Sequence, residues 1–423
     1  MKIICIFGVG YVGLPLAIEF SKKFKVIGYD NDVKKILKLK SGIDINNDLK
    51  KEEIKVLKKK ENLKFSSSLK DIIISSIFII TVPTPIKKNK KPDLSYVKSA
   101  TKEIGKILKK GDLVIYESTV YPGTTDDICI PLLEKKSGLK LNNDFHVGYS
   151  PERLSPGNKS HGLKNIIKIT SGSNLIALKK VDNLYKKIIN KGTYKAESIK
   201  VAEAAKVIEN TQRDINIAFI NELVFLFSKL NINTNEVLKA AETKWNFARF
   251  QPGLVGGHCI AVDPYYLEYI GEKKGYKSKL IRPSRRINDK MANFVCNKTI
   301  FNLKKRGFNI KKTRILILGF AYKENCSDTR NTPIYNIYKN LINKVKKVDI
   351  LDPIVNQEEV FKKFKIKLIN KITLKYQVII FAVPHNEIFS HLKKCVSNFE
   401  KGKNFVIDIK YVLKSKKYDV VSI

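Results

Sequence analysis

The 423-residue chain carries 80 Lys and Arg against 40 Asp and Glu, a formal net charge of +40. Roughly 100–200 residues fill one domain, so this length predicts two or three. A hydrophobic content of 43% with 9% aromatic residues excludes wholesale disorder. No stretch approaches the roughly 18–20 uncharged apolar residues of a membrane span. The six cysteines, Cys5, Cys129, Cys259, Cys296, Cys326 and Cys395, form no CxxC pair. That excludes a disulfide scaffold and a structural zinc site, and it suits a reducing cytoplasm. The charge raises the class of nucleic-acid-binding proteins. Only nine of the 80 basic residues are Arg, however, and the lysines are spread along the chain in short knots such as Lys58-Lys59-Lys60. Readers of bases and bidentate binders of phosphate favour Arg, so no nucleic-acid partner is expected.

In chain order, Lys2–Phe7 reads as a strand with no small-residue cleavage site near it, so no signal peptide is expected. Leu14–Lys22 reads as a helix and Lys25–Tyr29 as a second strand. Further strands are expected at Ile77–Val82, Leu113–Glu117, His146–Gly148 and Ile166–Thr170. Strands separated by helical stretches imply a parallel sheet covered on both faces. From Lys200 to Leu230 the pattern changes. Val201, Ala205, Ile208, Gln212, Ile215, Phe219, Leu223 and Leu226 recur at steps of three and four without Gly or Pro, predicting a helix of about 30 residues. A second helix is expected over Asn288–Lys305. Strands then resume at Arg314–Leu318, Val348–Leu351, Val378–Val383 and Asn404–Ile409. The layout is α/β, helical, α/β, with no repeat of 20–50 residues.

Five motifs carry chemistry. Gly8-Val9-Gly10-Tyr11-Val12-Gly13 lies between the first strand and the first helix. Its glycines allow a tight turn and close approach of backbone amides to a pyrophosphate at a helix N-terminus. The second strand ends in Asp30, an acid suited to a ribose diol, which favours NAD over NADP. Lys35 follows five residues later and suits either the adenosine side or solvent. Gly256-Gly257-His258-Cys259 places a thiol on backbone that a ligand can approach, with Asp263-Pro264-Tyr265-Tyr266 behind it; a thiolate there can attack an aldehyde. No second His or Cys stands at ligand spacing, so no metal is expected and His258 reads as structural. In the long helix, Lys206 and Asn210 at i, i+4 share one face and suit an oxyanion. Three loops follow expected strands: Pro83-Thr84-Pro85, Glu117-Ser118-Thr119 with Pro122-Gly123-Thr124, and Ser150-Pro151-Glu152-Arg153-Leu154-Ser155-Pro156-Gly157. Ligands of open α/β sheets gather at that edge. Last, Gly319-Phe320-Ala321-Tyr322-Lys323 and Ser327-Asp328-Thr329-Arg330 offer two cations for phosphates. This region lacks a full GxGxxG, so it is expected to hold something other than NAD.

Taken together these motifs resemble the UDP-glucose/GDP-mannose dehydrogenase family over essentially the whole chain. The form Pro252-Gly253-Leu254-Val255-Gly256-Gly257-His258-Cys259 with Asp263-Pro264-Tyr265-Tyr266 resembles its UDP-N-acetylhexosamine branch, the Vi-antigen-type UDP-N-acetylglucosamine enzymes foremost. UDP-N-acetylgalactosamine, UDP-N-acetylmannosamine and UDP-glucose remain alternatives. The resemblance implies an N-terminal Rossmann NAD-binding domain (1–197), a central helical and dimerisation domain (198–300) and a C-terminal Rossmann-like UDP-binding domain (301–423). It implies a four-electron oxidation of the sugar C6 hydroxyl with two NAD, through a thiohemiacetal and a thioester, making precursors for capsule or O-antigen polymers. Cys259 would be the nucleophile. Lys206 and Asn210 would stabilise oxyanions, Glu152 and Asp263 would handle protons and water, and Thr119 would position that water near the nicotinamide. Gly8, Gly10, Tyr11, Val12, Gly13, Asp30, Lys35, Thr84, Thr119 and Arg330 would hold the cofactor. Glu152, Arg153, Leu154, Lys206, Asn210, Arg249, Gly256, Tyr265, Tyr266 and Lys323 would hold the sugar nucleotide. A cytoplasmic homodimer through the central helix is implied, with Arg249 reaching across it. Some relatives place an Arg near the last strand where this chain has Lys410.

Overall fold

The computed structural model describes residues 2–43, 49, 51–59, 61–153 and 163–423. Leu154 and the Ser155-Pro156-Gly157 turn lie outside them. By the density of internal contacts the chain forms two units, Met1–Glu209 with Tyr265–Tyr276, and Asn210–Pro264 with Lys277–Ile423.

Among the described residues the first unit is built on eight strands: β1 (Ile3–Phe7), β2 (Lys25–Tyr29), β3 (Leu63–Ser66), β4 (Ile77–Ile80), β5 (Leu113–Tyr116), β6 (His146–Tyr149), β7 (Lys168–Gly172) and β8 (Thr193–Lys195). They lie in the order β3-β2-β1-β4-β5-β6-β7-β8. The inner strands are near-continuous Ile, Val, Phe and Tyr, buried on both faces as helix-covered parallel strands must be. Chain order reverses between β1 and β4, which opens a crevice at their carboxyl ends. One expectation is overturned. The strand expected at Ile166–Thr170 runs from Lys168 to Gly172, and it pairs antiparallel with β6, Tyr149 opposite Ser171. Its first residue therefore stands at the carboxyl edge of β5 and β6. The short edge strands β3 and β8 escaped the pattern reading because four and three residues give too little alternation.

The second unit holds β9 (Arg314–Leu318), β10 (Lys347–Leu351), β11 (Val378–Phe381), β12 (Phe405–Asp408) and β13 (Asp419–Ser422), all parallel, in the order β10-β9-β11-β12-β13. The helices Ile281–Lys305 and Ile334–Ile342 cover one face, through Met291, Val295, Ile337 and Leu341. The two sheets share a local device. Gly8 (φ +100°) donates to Tyr29 O at 2.7 Å, and Val9 N to the Asp30 carboxylate at 3.1 Å. Gly319 (φ +95°) donates to Leu351 O at 2.8 Å, and Phe320 N to the Asp352 carboxylate at 2.6 Å. This repeat is written in backbone geometry and in one acid after the second strand. Sequence periodicity does not reveal it.

The helix Ile199–Leu230 is 32 residues long. Of the apolar positions that recur along it, Val201, Ile208, Phe219 and Leu226 are 45–55% exposed. The buried residues of the helix include Glu203, Lys206, Asn210, Asp214 and Asn221 among Ala202, Val207, Ala218, Ile220 and Val224.

Candidate functional site

In the first unit the three motif glycines have three different surroundings. A Cβ on Gly13 would lie 1.9 Å from Gly8 O and 2.5 Å from Thr81 Oγ1, so helix and strand approach too closely for a side chain. A Cβ on Gly8 would crowd Val82 at 3.1 Å, at a φ that L side chains avoid. Gly10 meets nothing within 4 Å and leaves open space before the helix Gly13–Ser21. Tyr11 and Val12 are half-buried beside it. These are the turn, the packing contact and the ligand-approach position that a dinucleotide cradle needs, so the residues present fit NAD. Asp30 is 7% exposed. Its Oδ2 accepts from Val9 N and from Lys35 Nζ at 2.8 Å, and its Oδ1 from Asp32 N at 3.1 Å. Lys35 thus sits on the acid at the end of β2.

The loops after β4, β5 and β6 emerge on the same edge. Thr84 O accepts from the hydroxyl of Tyr266, which is fully buried, at 2.7 Å; Tyr265 is buried beneath Lys90. Thr119 is half-buried beyond β5. Glu152 is half-buried beyond β6, and Arg153 next to it donates to Ile167 O at 2.8 Å and pairs with Glu209 at 2.8 Å. Glu203 was missed by the sequence reading, although it stands three residues before Lys206 on the same face. It is fully buried and accepts from Gly123 N at 2.6 Å and Thr125 N at 2.9 Å. Burial pushes its carboxyl from 4.5 up to about 7, against the lowering effect of those two N–H groups.

In the second unit the cysteine loop is docked on the segment after β9. A Cβ on Gly256 would lie 2.7 Å from Pro333, and one on Gly257 (φ +84°) 2.7 Å from the Tyr322 ring. Gly257 N donates to Arg330 O at 3.1 Å, and Asn331 donates back to Gly257 O at 3.0 Å. Cys259 is half-buried in the turn that enters the helix Asp263–Lys273, its carbonyl accepting from Asp263 N at 2.8 Å. Asn210, one helical turn after Lys206, donates to the Asp263 carboxylate at 2.6 Å. Asn210 is 8% exposed, Asp263 2% and Lys206 4%, so these polar groups point inward from the helix.

Beside Cys259, Arg330 forks onto Asp328 at 2.6–3.0 Å and reaches His258 Nδ1 at 2.9 Å. The His258 and Arg330 bonds hold the Asp328 carboxyl far below the usual carboxylate range, outweighing its burial. Lys323 is half-buried, whereas Arg249 is 73% exposed and 3.8 Å from Glu242. Behind β9, the Asp352 carboxylate takes Phe320 N, Ala321 N and His385 Nε2 at 2.6–3.0 Å. His385 Nδ1 lies 2.8 Å from Asn325 N, so the ring bridges that amide and the Asp352 carboxylate. Asp352 thus takes two successive amides, where Asp30 takes Val9 N. No group of three or more His, Cys, Asp or Glu able to hold a metal occurs among the described residues.

The chain matches the NAD binding domain of the UDP-glucose/GDP-mannose dehydrogenase family over residues 1–189, its central domain over 200–290 and its UDP binding domain over 316–415. It is 50% identical over 418 residues to a UDP-N-acetyl-D-glucosamine 6-dehydrogenase of Salmonella typhi, covering 99% of this chain and 98% of that protein. It is 47% identical, at the same coverage, to a protein of the same name from Pseudomonas aeruginosa. Among solved structures it resembles the UDP-D-ManNAc dehydrogenase of Pyrococcus horikoshii, with TM-score 0.90, 31% identity and 100% and 99% of the two chains covered. Matched in all three domains and aligned end to end with such relatives, the chain belongs to the UDP-glucose/GDP-mannose dehydrogenase family, and NAD is its cofactor.

Proposed function

We propose that this chain oxidises the C6 hydroxyl of UDP-N-acetylglucosamine to the carboxylate in two NAD-dependent steps, within the three domains 1–197, 198–300 and 301–423. The carrying observation is end-to-end identity of 47–50% with two proteins bearing that name. The site chemistry agrees. NAD, when bound, accepts a hydride at each oxidation. Gly8, Gly10, Tyr11, Val12 and Gly13 cradle its pyrophosphate, Asp30 and Lys35 face its ribose, and Thr84 and Arg330 complete its contacts.

The Cys259 sulfur bonds to the aldehyde carbon left by the first oxidation as the C=O π bond opens, and the thiol proton passes by way of a nearby carboxylate to that oxygen, giving a thiohemiacetal. Loss of the second hydride and the hydroxyl proton leaves a thioester on Cys259. Lys206 and Asn210 hold the oxygen as it gains negative charge, by an ammonium and an amide one turn apart on a buried helix face. Water held by Thr119 and deprotonated by Glu152 or Asp263 adds to the thioester carbon; the C–S bond breaks and the thiol regains its proton. Arg153, Gly256, Tyr265, Tyr266 and Lys323 line the sugar nucleotide. Retention on sulfur keeps the aldehyde from escaping, and hydrolysis makes the sequence irreversible. The product is an acidic sugar nucleotide suited to a capsule or O-antigen polymer.

Purified protein with a panel of UDP-sugars should release two NADH per UDP-N-acetylglucosamine and no free aldehyde. One NADH per turnover would refute the two-step chemistry. Faster turnover of UDP-N-acetylgalactosamine or UDP-N-acetylmannosamine would reassign the substrate.

The exposed stripe Val201, Ile208, Phe219, Leu226 and Leu230 along the long helix supports a homodimer, with Arg249 reaching the partner's ligand. Light scattering should give twice the chain mass, and Phe219→Glu should halve it.

A further inference from the structure

Beneath the loops of the first unit lies a buried ion pair to which the proposed chemistry assigns no role. Lys168, the first residue of β7, is 4% exposed, and Glu117, directly after β5, is 1% exposed. Lys168 Nζ lies 2.7 Å from Glu117 Oε2 and donates to Pro151 O at 3.0 Å. The other Glu117 oxygen takes the hydroxyl of Tyr185, whose ring centroid is 4.9 Å from the ammonium. Two residues past Glu117 stands Thr119, and one past Pro151 stands Glu152. Ser150 Oγ adds a bond to Ile169 O at 2.7 Å, so the start of β7 grips the segment that delivers Glu152.

A buried pair costs several kcal/mol of desolvation per ion, and apolar residues of the same volume are commonly as stable, so stability alone does not call for it. What an ammonium adds here is direction: one group bonds at once to the end of β5 and to the loop after β6. The antiparallel run of β7 makes this possible. A parallel β7 would put its first residue at the opposite edge of the sheet.

We infer that Lys168, held by Glu117, is a positioning residue that fixes Glu152 relative to Thr119 through its bond to Pro151 O. The inference rests on the proposed roles of Glu152 and Thr119 in hydrolysis of the Cys259 thioester. It concerns the last step of the reaction more than the first.

The test compares wild type, Lys168→Met, and the double variant Lys168→Met/Glu117→Gln, which leaves no buried charge unpaired. Melting temperature, the rate of the first NADH in a single turnover, kcat, and the intact mass of the protein during turnover are measured. A misplacement of about 1 Å can cost 10²-fold. The double variant should melt within a few degrees of wild type and keep its first NADH within a few-fold. Its kcat should fall roughly 10- to 100-fold, with a sugar-nucleotide adduct building up on Cys259. Unchanged kcat, an equal loss in the first NADH and in kcat, or collapse of both variants' melting would overturn the inference and return the pair to the fold. Wild type yielding one NADH per sugar would instead overturn the reading of the site on which the inference rests.

Discussion

Glu203 offers a quantitative check on the joint between the long helix and the loop after β5. Its carboxyl is fully buried, receives the N–H groups of Gly123 and Thr125, stands near Asp126, and is pushed from 4.5 to about 7. A carboxyl raised on folding is protonated more readily in the folded chain than in the unfolded one. Its stabilising effect is therefore whole below pH 4.5 and is lost as pH climbs to about 7. A displacement of this size corresponds to about 3 kcal/mol, with a steepest slope of about 1.4 kcal/mol per pH unit. For a unit of some 200 residues that is about 6–12 °C of melting temperature. Glu203→Gln removes the titration. Thermal unfolding of both proteins from pH 4.5 to 8.5 should show the advantage of wild type over the variant shrinking by that amount as pH rises. A difference that stays flat would mean that the group titrates at its ordinary value, and one that grows would mean that the two N–H bonds outweigh burial; either refutes the reasoning.

Asn221 donates to Gly253 O at 3.0 Å, accepts from Gly253 N at 2.8 Å and donates to Asn288 at 2.8 Å, clamping the entry to the cysteine loop. Asn221→Ala orphans buried partners and should cost about 3–5 kcal/mol, read by denaturant unfolding; a loss below about 1 kcal/mol would deny the clamp. Cys259→Ser should abolish acid formation while leaving aldehyde or its hydrate detectable by mass spectrometry, and near-normal acid output would remove Cys259 from its role. Asp30→Ala should raise the KM for NAD about 10- to 100-fold. It also leaves the Lys35 ammonium, now 2.8 Å from the acid, free for a 2′-phosphate. The preference for NAD over NADP should therefore narrow, and an unchanged ratio of the two kcat/KM values would count against Asp30 as the discriminator.

Much of this was legible in the residues because it is local. The turn at Gly8–Gly13, the acid ending β2, the Lys206–Asn210 step and the Cys259 loop depend on spacing within one or two elements. A signal for Asp352 was also present, since it follows β10 as Asp30 follows β2, but without glycines after Gly319 it did not stand out. Which face of the long helix is covered was not legible, because period 3.6 shows that a helix is two-sided and not which side is covered. Here Val201, Ile208, Phe219 and Leu226 are exposed, and the buried side mixes Glu203, Lys206, Asn210 and Asp214 with Ala202, Val207, Ile220 and Val224.

By itself the sequence determined the α/β–helical–α/β order, the dinucleotide turn and the thiol loop, since each is set by backbone freedom, side-chain period or immediate neighbours. Only the tertiary structure decided that β7 runs against β6, that Lys168 thereby reaches Glu117 and Pro151, and that Glu203 holds the loop behind Thr119. These contacts join residues 17 to 80 positions apart. A lysine reads as solvated and a strand carries no mark of its direction, so such partnerships exist only once strand order and direction have been set by packing.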